Sequence, residues 1–209
     1  MQQNELKKCT ANVNDKDVIF YHCNDNDIVS LFIELLTKRD SQFHIIEDNK
    51  IIQIGWNFFI IKKTENNYQI FAADYTNNPF KDVTDDLTLS LNILKEQLLV
   101  VKKTGAVSDD TTSFQDTVLV RKTALNSKNL YFLRQDDKNG KISGWYMGDL
   151  NDSENSDDPN DYQTVYEYEL LSLCPKAVSI MNLPVGTLAV IADNEIVSIV
   201  DSDNNEMYK

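Results

Sequence analysis

Two histidines, three cysteines and one dense run of carboxylates are the residues of this chain whose types could do chemistry. His22 and His44 lie 22 residues apart in different surroundings, and neither sits in a helical metal motif. Cys23 adjoins His22. Neighbours on a strand point to opposite faces, which is the wrong geometry for a thiolate and its base. Cys9, Cys23 and Cys174 are odd in number and contain no Cys-x-x-Cys pair, so reduced thiols fit better than a disulfide framework or a zinc site. No Gly-x-Ser-x-Gly elbow is present, and the six glycines are scattered rather than gathered into a phosphate loop. These patterns predict no catalytic residues, no metal and no cofactor: a protein that is not an enzyme.

The carboxylate run is the one constellation with a pattern. Asp149, Asp152, Glu154, Asp157, Asp158 and Asp161 fall within 13 residues, with no basic residue among them. A calcium loop is one reading, but the Asp-x-Asp-x-Asp-Gly spacing and its turn glycine are missing. A solvated loop without a role is the second. A recognition surface is the third: carboxylates held close together repel, and a cationic partner relieves them. Tyr162 follows the run directly and is the aromatic expected to be exposed beside it. Tyr146, Tyr166 and Tyr168 are further candidate anchors, since tyrosine is enriched in binding hot spots. Trp145 is expected in the core.

Net charge narrows the partners. The chain carries −13 overall. Residues 1–105 hold 12 Lys/Arg and 15 Asp/Glu, a net of −3, whereas residues 106–209 hold 8 and 18, a net of −10. Such a field repels nucleic acid and anionic lipid and attracts a basic protein. At 42% hydrophobic and 25% charged the composition is that of a folded domain, not a disordered chain. No apolar run approaches the ~18 residues that a membrane span needs. The polar start, Met1 to Cys9, predicts no secretory signal and hence a cytoplasmic protein.

The elements that must position these residues read as α+β: two antiparallel sheets with packed helices, one per half. Residues up to Lys16 are polar and expected to be loosely held. Asp17–His22 reads as a strand. Ile28, Leu31, Phe32, Leu35 and Leu36 mark a helix capped by Asn26 or Asp27 and closed by Lys38 and Arg39. Lys50–Ile54, Trp56–Lys63 and Tyr68–Ala72 read as strands. Leu87, Leu91, Leu94, Leu98 and Val101 line one face of a second helix, about Asp85–Lys103. Ala106–Ser113 is small and polar, a junction or surface loop, which places an N-terminal α+β domain of unassigned family in 1–105 and a second domain in 114–209. Strands follow at Thr117–Arg121, Leu130–Leu133 and Ser143–Met147, with a turn at Lys138-Asn-Gly140. Thr164 and Glu167 have the spacing of a helix capping box, and that helix must stop before Pro175. Thr187–Ile191 and Ile196–Val200 close the chain, joined at Asp193-Asn194.

The order of motifs in the second half has a counterpart. Thr117-Val-Leu-Val-Arg121, Tyr131-Phe-Leu-Arg134, Ser143-Gly-Trp-Tyr-Met-Gly-Asp149, Asp158-Pro-Asn160, Cys174-Pro175 and Leu183-Pro-Val-Gly186 follow one another. This series resembles the immunity protein 33 family over about residues 114–200. The resemblance implies a bacterial, cytoplasmic protein of interbacterial competition. Such a protein binds a cognate toxin and neutralises it by stoichiometric occlusion, without enzyme activity or cofactor. The acidic balance suits a basic toxin such as a nuclease, engaged through Asp149, Asp152, Glu154, Asp157, Asp158, Asp161 and Tyr162. The alternative is a regulatory or scaffold module that binds a housekeeping partner or a small ligand.

Overall fold

The structure, a computed structural model, describes residues 5–136, 142–152 and 158–208. Two compact units divide between Lys95 and Glu96. In the first, strands β1 (Lys7–Val13) and β2 (Lys16–His22) form a hairpin. Its two turn residues, Asn14 and Asp15, have φ of 47° and 65°, the left-handed pair that matches strand twist. β1 corrects the expectation of a loosely held start. Its inward residues Cys9, Ala11 and Val13 alternate with exposed polar ones. The first two are too small to raise an apolar signal, yet the period of two is there.

Helix α1 (Asn26–Phe43) is capped by Asp25, whose carboxylate accepts from the Ile28 amide. It runs past Lys38 and Arg39 to a left-handed His44, whose amide donates to the Asp40 carbonyl. Strands β3 (Lys50–Ile54), β4 (Asn57–Lys63), β5 (Tyr68–Ala73) and the short β6 (Val83–Thr84) complete the sheet. The order is β1-β2-β5-β4-β3, with β6 on β5, and β2–β5 is its parallel pair. Phe32 of α1 meets Phe20 edge-on at 5.5 Å and Phe59 at 4.9 Å, which anchors the helix on the sheet.

Helix α2 (Thr88–Thr104) spans the division between the units. Leu87 before it and Leu91 and Leu94 on it are buried in the first unit, as their spacing requires. Leu98 and Val101 are only half-buried, because burial passes to Gln97 and Val100 in the second unit. There Gln97 donates to the Val178 carbonyl at 2.9 Å and accepts from Asn182 at 2.8 Å.

The second unit contains β7 (Thr117–Arg121), β8 (Asn129–Arg134), β9 (Ile142–Asp149), β10 (Tyr162–Tyr166), the short helix α3 (Leu170–Leu173), β11 (Leu188–Ala192) and β12 (Glu195–Val200). The order is β10-β7-β9-β8-β11-β12, antiparallel except for β7–β9. The α+β class with one sheet per half therefore holds, each sheet mixed by one parallel pair. The Lys138-Asn-Gly140 turn lies outside the described residues. The capping box does not form at Thr164: that residue lies in β10, because Val165 pairs with Val118 and buries its side chain. Helical structure starts instead at Glu167, with Glu169 accepting from the Tyr166 amide at 2.7 Å.

One face of this sheet, including Val118, Val120, Phe132, Trp145 and Met147, is buried. Helical turns at Pro175–Ile180 supply Ala177, Val178 and Ile180 to the same core. Trp145 is 1% exposed, as expected, and its indole donates to the Met181 carbonyl at 3.1 Å. Arg134, also 1% exposed, donates to the carbonyls of Leu183 and Asp110.

Leu94→Ala is expected to lower unfolding free energy by about 2–5 kcal/mol, read from urea midpoints. A loss under about half a kcal/mol would mean that this face of α2 is not core.

Candidate functional site

The acidic connection between β9 and β10 does not stand alone in space. Asp149, at the end of β9, accepts from Ser127 Oγ and from the Asn151 amide, both at 2.9 Å. Asp152 Oδ2 lies 2.7 Å from Arg121 Nε and accepts from Thr123 Oγ1 at 2.8 Å. Both side chains of that ion pair are about a tenth exposed. Asp158 caps the single turn Pro159–Asp161 by accepting from the Asn160 amide. Lys122 Nζ donates to the Asn160 carbonyl. Asp161 is half-buried just before β10. Glu154 and Asp157 lie outside the described residues.

Two basic residues, Arg121 and Lys122, thus lean on a segment that reads in sequence as wholly acidic. They are distant in sequence but near in space because β10 pairs antiparallel with β7, which sets Tyr162 opposite Arg121. Asp152 is consequently a partner of a nearly buried cation, whereas Asp158 is exposed.

Tyr162 is half-buried, and the register explains why. On the sheet face opposite the core, cross-strand neighbours run Thr164, Leu119, Tyr146, Leu133 and Leu188. Next to it Tyr162 pairs with Arg121, and Gly148, Tyr131 and Val190 follow one another from β9 to β11. Tyr131 and Tyr146 approach at 5.6 Å between ring centres, Tyr146 and Tyr162 at 6.2 Å. Leu119 is 40% exposed between them. Gly148 permits the row: a Cβ there would stand 2.4 Å from the Tyr131 ring, which lies across its backbone. Burial, then the hydroxyl of Tyr131, pushes the Tyr146 phenol well above the ordinary tyrosine range. The ring stays neutral at any physiological pH.

Tyr131 and Leu119 were not singled out by sequence. Their signal was the alternation with buried Leu130, Phe132, Val118 and Val120, which marks residues on the far face of a strand. Tyr166 and Tyr168 stack on each other at 6.0 Å near the opposite end of β10.

His22 is buried on β2, 5.8 Å from the Phe20 ring, and desolvation lowers its proton affinity. His44 caps α1. Among the described residues no group of three or more His, Cys, Asp or Glu forms a metal cage. A cleft of about 470 Å³ in the first unit is lined by Asp74, Tyr75, Asp86 and Thr88. Its carboxylates are engaged by their own turns: Asp74 accepts from Thr76 and Asn77, and Asp86 from Thr88. No helix among the described residues is long and apolar enough to cross a membrane.

The fold is thus α+β with open mixed sheets, and the densest candidate site is a sheet face beside an acidic connection rather than a cleft. The sequence model of the Imm33-like domain matches residues 96–202, just over half of the chain, and the chain belongs to that family. No curated protein and no solved structure matches it.

Asp152→Asn leaves Arg121 nearly buried beside a neutral group. It is expected to cost on the order of 3 kcal/mol, whereas exposed Asp158→Asn costs about 1 kcal/mol or less through its cap. Equal urea midpoints for the two variants would show that the Arg121 pair does not hold the connection.

Proposed function

We propose that this chain is an immunity protein: it binds a cognate bacterial toxin one-to-one in the cytoplasm and neutralises it by occlusion, without catalysis or a cofactor. The observation that carries this reading is membership of the Imm33-like family over residues 96–202, a span lying in the second unit. Occlusion needs shape and charge complementarity and no reaction by the blocker. The second half supplies the charge, and its balance of −10 over residues 106–209 favours a basic toxin, for which a nuclease is one chemistry.

The contact side proposed is the acidic connection, with Asp149, Asp152, Glu154, Asp157, Asp158, Asp161 and Tyr162. Within it Asp152 acts through Arg121, as a positioning residue, and the others act as field. Residues 1–105 are proposed as a companion α+β domain that widens the partner surface.

Two measurements test the proposal. Co-expression with the toxin encoded beside the gene should restore growth, and the two proteins should co-elute at equal stoichiometry. Persisting toxicity, with this chain folded and abundant, would overturn it. Replacing Glu154, Asp157, Asp158 and Asp161 by Gln or Asn should slow association about ten-fold at low salt. The difference should shrink once screening falls to about 8–10 Å near physiological ionic strength. A wild-type rate at low salt would move the contact away from this connection.

A further inference from the structure

We infer that the outward face of the second sheet, centred on Tyr146, is where a basic protein partner docks, its Arg and Lys side chains seated on the rings of Tyr131, Tyr146 and Tyr162. The inference rests on the proposed function only for the partner's being a toxin.

Three observations carry it. The first is continuity. The rings follow one another at 5.6 and 6.2 Å, tilted by 50° and 52°, from β8 over β9 and across β7 to β10. With Leu119 at 40% exposure they make a half-open aromatic platform rather than scattered surface residues. Guanidinium groups stack on such faces, and ammonium groups sit over them.

The second is charge. Among the paired positions of this face named above, the one cation is Arg121, which Asp152 neutralises at 2.7 Å and which is itself nearly buried. At one end of the rows stand Asp149, where β9 stops, and Asp161, just before β10. A cation on the rings therefore meets no unneutralised cation at these paired positions, and the acidic connection lies at the strand ends of the same sheet. The first sheet differs: Lys62 Nζ already sits 5.0 Å from the Phe71 ring centre, so its own cation occupies an aromatic face.

The third is pre-organisation. Tyr131 lies flat because residue 148 has no side chain, and Tyr146 is held between Tyr131 and Tyr162. Rings fixed before binding lose little freedom when a partner arrives.

The test needs no toxin. The full chain, ¹³C-labelled at tyrosine, is titrated with deca-arginine and with deca-lysine while ring signals are followed by NMR. The ring signals of Tyr131, Tyr146 and Tyr162 should move together, and deca-arginine should bind more tightly than deca-lysine. Leu119→Arg sets a cation at the centre of the face, at an exposed position that should leave folding intact. It should weaken deca-arginine binding about ten-fold or more. Gly148→Ala, which displaces the Tyr131 ring, should weaken it in the same direction, with circular dichroism confirming the fold of each variant. Unmoved rings, or a folded Leu119→Arg chain that binds as tightly as wild type, would overturn the inference. Rings that take the peptide in a chain that protects no cell would support this surface and sink the immunity reading. Protection by a chain whose rings ignore the peptide would do the reverse.

Discussion

A guanidinium with 1% of its surface exposed organises the second unit. Arg134 cannot shed its charge at ordinary pH, so the chain must bring it acceptors. Burial pulls its proton affinity down, while the charges of Glu167 and Asp116 oppose that pull. The carbonyls of Leu183 and Asp110 come to it from opposite sides in sequence, and the Trp145 ring lies 5.9 Å away. Its own backbone joins the same clasp: the Arg134 amide donates to Thr187, and the Gly186 amide donates to the Arg134 carbonyl. Leaving such a charge without its acceptors would cost far more than an ordinary hydrogen bond contributes. The Leu183-Pro-Val-Gly186 turn, the start of β11 and the approach to β7 are therefore fixed together.

Glu167 closes the same core from another side. It is fully buried and accepts from Thr112 Oγ1 at 2.8 Å, while that hydroxyl also lies 3.2 Å from the Met181 carbonyl, the acceptor of the Trp145 indole. Two of the motifs that carry the family resemblance, Ser143-Gly-Trp-Tyr-Met-Gly-Asp149 and Leu183-Pro-Val-Gly186, thus meet through Met181 and Arg134 in the interior. They define the fold of the unit. The surface proposed to recognise a partner lies on the opposite face of the sheet, built from alternate residues of the same strands: Leu119, Tyr131 and Tyr146 stand between the core residues of these motifs.

Much of the architecture was legible because its signals are local. β3 and β7 run over the residues their alternation indicated, and the Asp193-Asn194 turn has the left-handed pair, φ 47° and 61°, that a tight hairpin demands. What was missed depends on partners distant in sequence. Thr164 and Glu167 have capping-box spacing, but the strand pairing of Val165 with Val118 prevails over local helix propensity. The acidic run was visible as composition. That Asp152 belongs to Arg121, 31 residues earlier, follows only from the β7–β10 pairing. Tyr131 carries no signal by itself either. It becomes part of a site once register sets it opposite Gly148.

The parallel β7–β9 pair has a consequence for the order in which the chain is made. β7 finds one neighbour at residues 142–149 and the other at 162–166, and Arg134 finds an acceptor at Leu183. A ribosome-bound chain that has released the second unit only as far as β8 holds two strand sequences that do not pair with each other, and a charge awaiting its acceptors. Non-local sheets of this kind close late. The tyrosine row, drawn from residues 131, 146 and 162, is assembled only after β10 has left the ribosome. A fragment stopped before Leu183 would have every ring of that row and no fixed core beneath it.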